Sequence, residues 1–170
     1  MPFPRIESAL ALCDAQLATP IDDPAKAVEL ESLLVSAAVV MIVSELEGCV
    51  VQAFETRGRQ CQDEHVASFV TSNVSRRFWS PGISKINDAL GEFGVDYRER
   101  FKARVENTKL HASWDNVLRA RQEVVHKRGT PSLTLRELRT AFEDCKGVLS
   151  ALDETLGISQ NHSETPDTTA

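Results

Sequence analysis

From Ala25 to Gln60 the chain carries no proline, and its glycines there, Gly48 and Gly58, are weak helix breakers. The middle of this stretch, Leu33 to Val43, is apolar except for Ser36, so a helix built from it is apolar on every side and has to be buried. That run covers about 11 residues, where a membrane-spanning helix needs about 20. The stretch therefore predicts the central helix of a bundle, continuous or broken once, and the rest of the chain must supply helices to cover it.

Those helices can be read from spacing. Ile6, Leu10, Cys13 and Leu17 form one apolar stripe ending before Thr19-Pro20. A third helix starts near Gln62-Asp63-Glu64, whose acids suit a positive N-terminal dipole, and runs to Phe78-Trp79 before Ser80-Pro81-Gly82 stops it. Val66, Phe69, Val70 and Phe78 should face inward. Ile83 to Phe93 lies between two glycines as a compact helix, and Tyr97 to Val105, with Asp96 as a candidate cap, makes a basic one. Ser113 to Arg128 ends at Gly129 with Pro131 beyond, a glycine stop followed by a proline barrier. Thr134 and Glu137 form a capping-box pattern before a last helix striped by Leu135, Leu138, Phe142, Cys145, Leu149, Leu152 and Leu156. No strand alternation or internal repeat competes. The fold class is all-α: an up-and-down helical bundle with a long central helix and additional short helices.

At 170 residues there is room for one domain and little for two. We place a single helical domain at residues 1–157 and a disordered C-terminal tail at 158–170, which is polar and aperiodic. Aromatics make up only 6% of the chain, so aliphatic side chains must fill the core. Cys13, Cys49, Cys61 and Cys145 are spaced too irregularly for a zinc site and read as buried free thiols. Glu7 and Asp14 interrupt the N-terminal apolar stretch, which a secretory signal would avoid, so the expected location is cytoplasmic and no membrane is expected as a partner. A net charge of -6 argues against a surface that coats nucleic acid as a whole. Any such ligand must meet a local patch. One exists: Val95 to Arg128 holds nine Lys or Arg against five Asp or Glu, a net of +4, leaving -10 for the remainder.

No phosphate-cradling glycine loop, GxSxG elbow, HExxH or dinucleotide fingerprint occurs. Of the four histidines, His162 lies in the tail, leaving His65, His111 and His126 for proton transfer. His126 has the most suggestive surroundings, in Leu118-Arg119-Ala120-Arg121-Gln122-Glu123-Val124-Val125-His126-Lys127-Arg128-Gly129. Arg121, four intervening residues and His126, on a penultimate helix that ends at a glycine, resemble the R-x4-6-H motif of the HEPN superfamily (higher eukaryotes and prokaryotes nucleotide-binding domain). Ser44-Glu45-Leu46-Glu47 on the long helix is similar to the S-x-x-E element of several HEPN subfamilies. The resemblance covers about Ala25 to Gly157 and is greatest to the HEPN branch linked to RNA-ligase and phosphoesterase operons.

That resemblance implies a helical homodimer acting as a metal-independent endoribonuclease with no cofactor, in a toxin-antitoxin, antiphage-defence or RNA-processing setting. It makes RNA the substrate and an antitoxin or operon protein a possible partner. Arg121 and His126 would be catalytic, and Glu47, by its match to S-x-x-E, would orient His126 or pair with Arg121. Gln122 departs from the pattern, since many active members place Asn, Asp or His directly after the arginine. The alternative is a non-catalytic HEPN module that dimerises and binds nucleotide, RNA or a partner protein.

Residue chemistry bears on both readings. A histidine can take the 2'-hydroxyl proton or protonate the leaving 5'-oxygen, and an arginine can stabilise charge on the pentavalent phosphate. One histidine cannot do both at once, so two copies across a cleft would complete the centre. At about 100° per residue, Arg121 and His126 stand about 140° apart on a regular helix, while Arg119, Gln122 and His126 share a face. Arg119 and Gln122 are accordingly supporting candidates, and Arg121 must reach around with its long stem. Arg98, Arg100, Lys102 and Arg104, with Lys127 and Arg128, are the candidates for RNA phosphates; Arg76 and Arg77 are further ones. Simpler explanations run alongside. His126, Lys127 and Arg128 at a helix C-terminus offset its dipole by about 0.3–1 kcal/mol each without any function, a basic helix face is commonly just solvated, and Trp79 and Trp114 fit a core or interface at least as well as base stacking.

Overall fold

The computed structural model describes residues 3–78, 80–126 and 131–158. Trp79, Lys127, Arg128, Gly129 and residues 159–170 lie outside the described residues, as do the side chains of Arg76 and Arg77. Seven helices and no strand occur among the described residues: α1 (Pro4–Leu17), α2 (Pro24–Arg59), α3 (Glu64–Arg77), α4 (Ile83–Phe93), α5 (Val95–Val105), α6 (Lys109–His126) and α7 (Leu135–Leu156).

The proline-free stretch is one unbroken helix. Its 36 residues span about 54 Å at 1.5 Å each. Asp23 opens it by accepting from the Ala25 N–H at 2.9 Å, with Pro24 at the first helical position, where its missing N–H costs nothing. By length and composition alone α2 could cross a membrane. In the fold, Val39, Ile42, Val43, Leu46, Val50 and Phe54 are buried against α1, α3, α6 and α7, but the apolar run is not covered all round as expected: Leu33 and Val40 are exposed.

α6 and α7 pack closely, with Gly147 facing Leu110 at the start of α6. A Cβ at position 147 would meet Leu110 Cδ2 at 2.9 Å, so a larger residue would force the Leu110 side chain to move where the start of α6 lies on α7. The predicted α7 stripe is buried along its full length. Thr134 and Glu137 make the reciprocal capping box, and Gly157 in the left-handed conformation closes the other end with φ 68°. Ile158, expected to begin the tail, belongs to this cap: its N–H donates to Asp153 O at 2.9 Å and its side chain packs on the core.

Several local expectations need correction. Val66 and Phe69 are exposed, Phe69 by 70%, because α3 is covered on one side only; Val70 and Phe78 do face the core. α5 is capped by Gly94 rather than Asp96 and starts at Val95, two residues earlier than the basic run suggested. α6 begins at Lys109, four residues before the expected start, because Thr108 Oγ1 accepts the Leu110 N–H and takes the place of a cap. Of the cysteines, Cys13 and Cys145 are buried and Cys49 is half-buried, but Cys61 is exposed. All four are free thiols; burial pushes Cys145 up to about 12 and Cys49 to about 11, the latter helped by Glu45, so neither is a nucleophile at neutral pH.

Candidate functional site

The segment Ser80-Pro81-Gly82, read from sequence only as a helix stop, is held in place from two sides. Trp114, 1% exposed in the middle of α6, donates Nε1–H to the Pro81 carbonyl at 2.8 Å. Glu47, at mid-length of α2, accepts the Ser80 backbone N–H on Oε1, also at 2.8 Å. Ser80 has φ 49°, a left-handed conformation that costs a non-glycine residue about 1 kcal/mol or more. The two anchors hold that geometry, and its consequence is that Ser80 Oγ points at α6, where it accepts from Arg121 Nη1 at 2.9 Å.

Arg121 is thereby placed at the edge of an open groove of about 560 Å³, lined also by Arg119, Gln122, His126, Lys85 and Asp115. The helical wheel separated Arg121 from His126 by about 140°, but the groove includes both. Its far wall is the Ser80–Gly82 segment together with the start of α4, so a half-buried arginine reaching toward Ser80 meets the same space as a histidine exposed on the last turn of α6. Three cationic side chains, Lys85, Arg119 and Arg121, together with His126, face one carboxylate, Asp115. That balance suits an anion. Arg119, Gln122 and His126 are exposed, so a ligand can reach them without rearrangement of the core.

The other sequence candidates divide. Glu47 acts on Arg121 through Ser80, as a two-step support. On α5, Arg98 and Lys102 face an adjoining pocket. Arg104 is turned to α7, where it pairs with Glu154, and Arg100 lies over the Tyr97 ring at 4.8 Å. The four basic residues of α5 thus form two faces instead of one phosphate track. Trp114 is a buried anchor, which settles it as core. His65 is exposed at the start of α3, and His111 sits 3.4 Å from Asp115 one turn along α6. Among the described residues no cluster of three or more His, Cys, Asp or Glu is placed to hold a metal ion.

Ser80, Gly82, Ser84, Lys85 and Asp115 were missed in the sequence because they are remote from the R-x4-H element. The one available signal was a tryptophan on the same helix, which had to find a partner for its indole N–H if buried.

A helical bundle whose penultimate helix presents an arginine and a histidine, with four residues between them, to a basic groove is the arrangement of a HEPN domain. The family model described as RiboL-PSP-HEPN matches residues 5–157, and the chain belongs to that family. No curated protein and no solved structure matches it.

Proposed function

We propose that the protein is a metal-independent endoribonuclease that works as a homodimer, as a toxin or antiphage-defence effector. The observation that carries this reading is the convergence of Arg121, Gln122 and His126 on one basic groove, with Arg121 fixed by the Glu47–Ser80 support. In the mechanism, one His126 takes the proton of a ribose 2'-hydroxyl while O2' attacks the adjacent phosphorus. The P–O5' bond breaks, and the 5'-oxygen leaves with a proton from the second copy's His126. Arg121 offsets the charge that builds on the phosphate oxygens. The products are a 2',3'-cyclic phosphate and a 5'-hydroxyl end.

Pairing of two copies is supported by apolar side chains left in water. Leu33 and Val40, a heptad apart on α2, are 62% and 40% exposed, and Val125, beside His126, is 46% exposed. Leu33→Glu with Val40→Glu should give a monomer by light scattering and abolish turnover if each copy holds half a centre.

The direct test is incubation of full-length protein with RNA in EDTA. Cleavage should appear and should be lost in His126→Ala and in Arg121→Ala. Salt-sensitive RNA binding with no His126-dependent turnover would make the chain the non-catalytic HEPN module instead, the reading that glutamine at position 122 favours.

A further inference from the structure

Beyond Asp115 the groove continues into a second pocket of about 320 Å³ between α4, α5 and the first turns of α6. The two spaces share Gly82, Ser84 and Asp115, so they form one trough. Along α6, His111, Asp115, Gln122 and His126 fall within an arc of about 60° and span about 22 Å of axis, so one helix face floors both parts. A bound polynucleotide would extend past the Arg121/His126 groove into this second pocket.

The pocket holds two buried polar atoms without a hydrogen bond. Asn87, on α4, is 7% exposed, and its Oδ1 has no hydrogen-bond partner. The Nε of Arg98, on α5, is likewise buried without a hydrogen bond and has Glu99 Oε1 at 3.8 Å as an ionic neighbour. Buried acceptors and donors are costly when unpaired, and their retention in a pocket points to a ligand that supplies the partner. Arg98 lies close against α4 at Gly91, where a Cβ would stand 3.3 Å from its Nη1. Arg98 and Lys102 stand 3.8 and 3.9 Å from Glu99 Oε1, loose surface pairs of little strength that a phosphate can displace. Asp88, Glu106 and Asp115 outnumber Arg98 and Lys102 in the lining, so a phosphodiester unit has to sit on the cationic α5 side, and a di- or triphosphate is repelled.

We propose that this second pocket is a nucleotide subsite of the RNA groove, with the phosphate on Arg98 and Lys102 and a hydrogen-bond donor of the base or ribose on Asn87 Oδ1. The identity of the polymer rests on the ribonuclease reading. A free mononucleotide offers the same chemistry, and the experiment separates the two.

Binding of a mixed-sequence single-stranded RNA 10-mer is measured by fluorescence anisotropy at several salt concentrations, using full-length His126→Ala protein as the parent so that cleavage does not intervene. Adding Arg98→Ala should weaken binding about tenfold and reduce the salt slope by about one. Asn87→Ser should weaken it several-fold with the slope unchanged. Gly91→Ala, which asks Arg98 to shift by a few tenths of an ångström while leaving the buried amide intact, should weaken binding less than Arg98→Ala and guards against a folding defect at Asn87. Equal binding by parent and all three variants would overturn the subsite, as would no RNA binding by the parent. AMP binding at this pocket as tightly as the 10-mer would replace the RNA subsite with a mononucleotide site. If the variants weaken RNA binding as expected while wild-type protein cleaves nothing, the subsite stands and the catalytic reading falls.

Discussion

Glu47 of α2 and Arg121 of α6 are joined through one residue: Glu47 Oε1 accepts the Ser80 N–H at 2.8 Å, and Ser80 Oγ accepts from Arg121 Nη1 at 2.9 Å. The carboxylate therefore acts on the guanidinium by fixing a strained loop residue. Its role needs an acceptor oxygen and no charge. Glu47→Gln keeps that oxygen and should retain most RNA cleavage, whereas Glu47→Ala should lower kcat by about tenfold or more, the scale expected when a transition-state donor is misplaced. Equal loss in both variants would point to a requirement for the negative charge.

The Trp114 bond to the Pro81 carbonyl makes a second, separable demand. Trp114→Phe keeps most of the buried ring but leaves that carbonyl without its indole donor. The stability cost should be about 1–3 kcal/mol by denaturant melting, the range for leaving a buried polar group unpaired plus a small void. Activity should fall further than the loss of folded protein explains, since the freed Pro81 loosens Ser80. A variant destabilised to that extent with unchanged kcat at low temperature would show that the segment needs no such anchor.

How much of this was legible beforehand follows from what each feature depends on. α2, α7 and the capping box were readable because apolar periodicity and caps are local properties. The exposure of Phe69 was not, since a helix pattern marks an apolar face but cannot say whether another element covers it. Arg121 and His126 could be named from spacing and family resemblance. Their shared groove could not, because it depends on Ser80, brought to α6 by a contact with Glu47 across 33 positions of sequence. Asn87 was illegible for the same reason: inside α4 it is an ordinary polar residue until α5 and α6 bury it.

The α6–α7 junction carries a pH dependence in acid. Asp144, half-buried on α7, accepts from Lys109 Nζ at 2.8 Å and Ser113 Oγ at 2.9 Å, and these bonds, Lys109 first, hold its carboxyl below the ordinary carboxylate range. A lowered folded-state pKa means stability that is full above the unfolded value and disappears as pH falls through the folded one. Asp144→Asn should therefore destabilise at pH 7, by about 1 kcal/mol for loss of a charge-assisted bond, and the difference from wild type should shrink below about pH 4. A gap that persists undiminished in strong acid would place the loss in packing.

Asp153 gives the opposite sign. It sits in α7 with 5% exposure, and burial raises its carboxyl above the ordinary range. In this case the unfolded chain ionises more readily than the folded one, so the residue favours folding only in acid and opposes it as pH rises through the folded value. Asp153→Asn removes the carboxyl whose ionisation burial opposes, while keeping the side chain's shape and leaving the backbone carbonyl that accepts from Ile158. Thermal melts should show a higher Tm for the variant at pH 7 to 8 and no gain, or a small loss, near pH 3. A variant less stable than wild type at neutral pH would mean that the ionised carboxylate is compensated in the fold and that its charge helps to hold the end of α7.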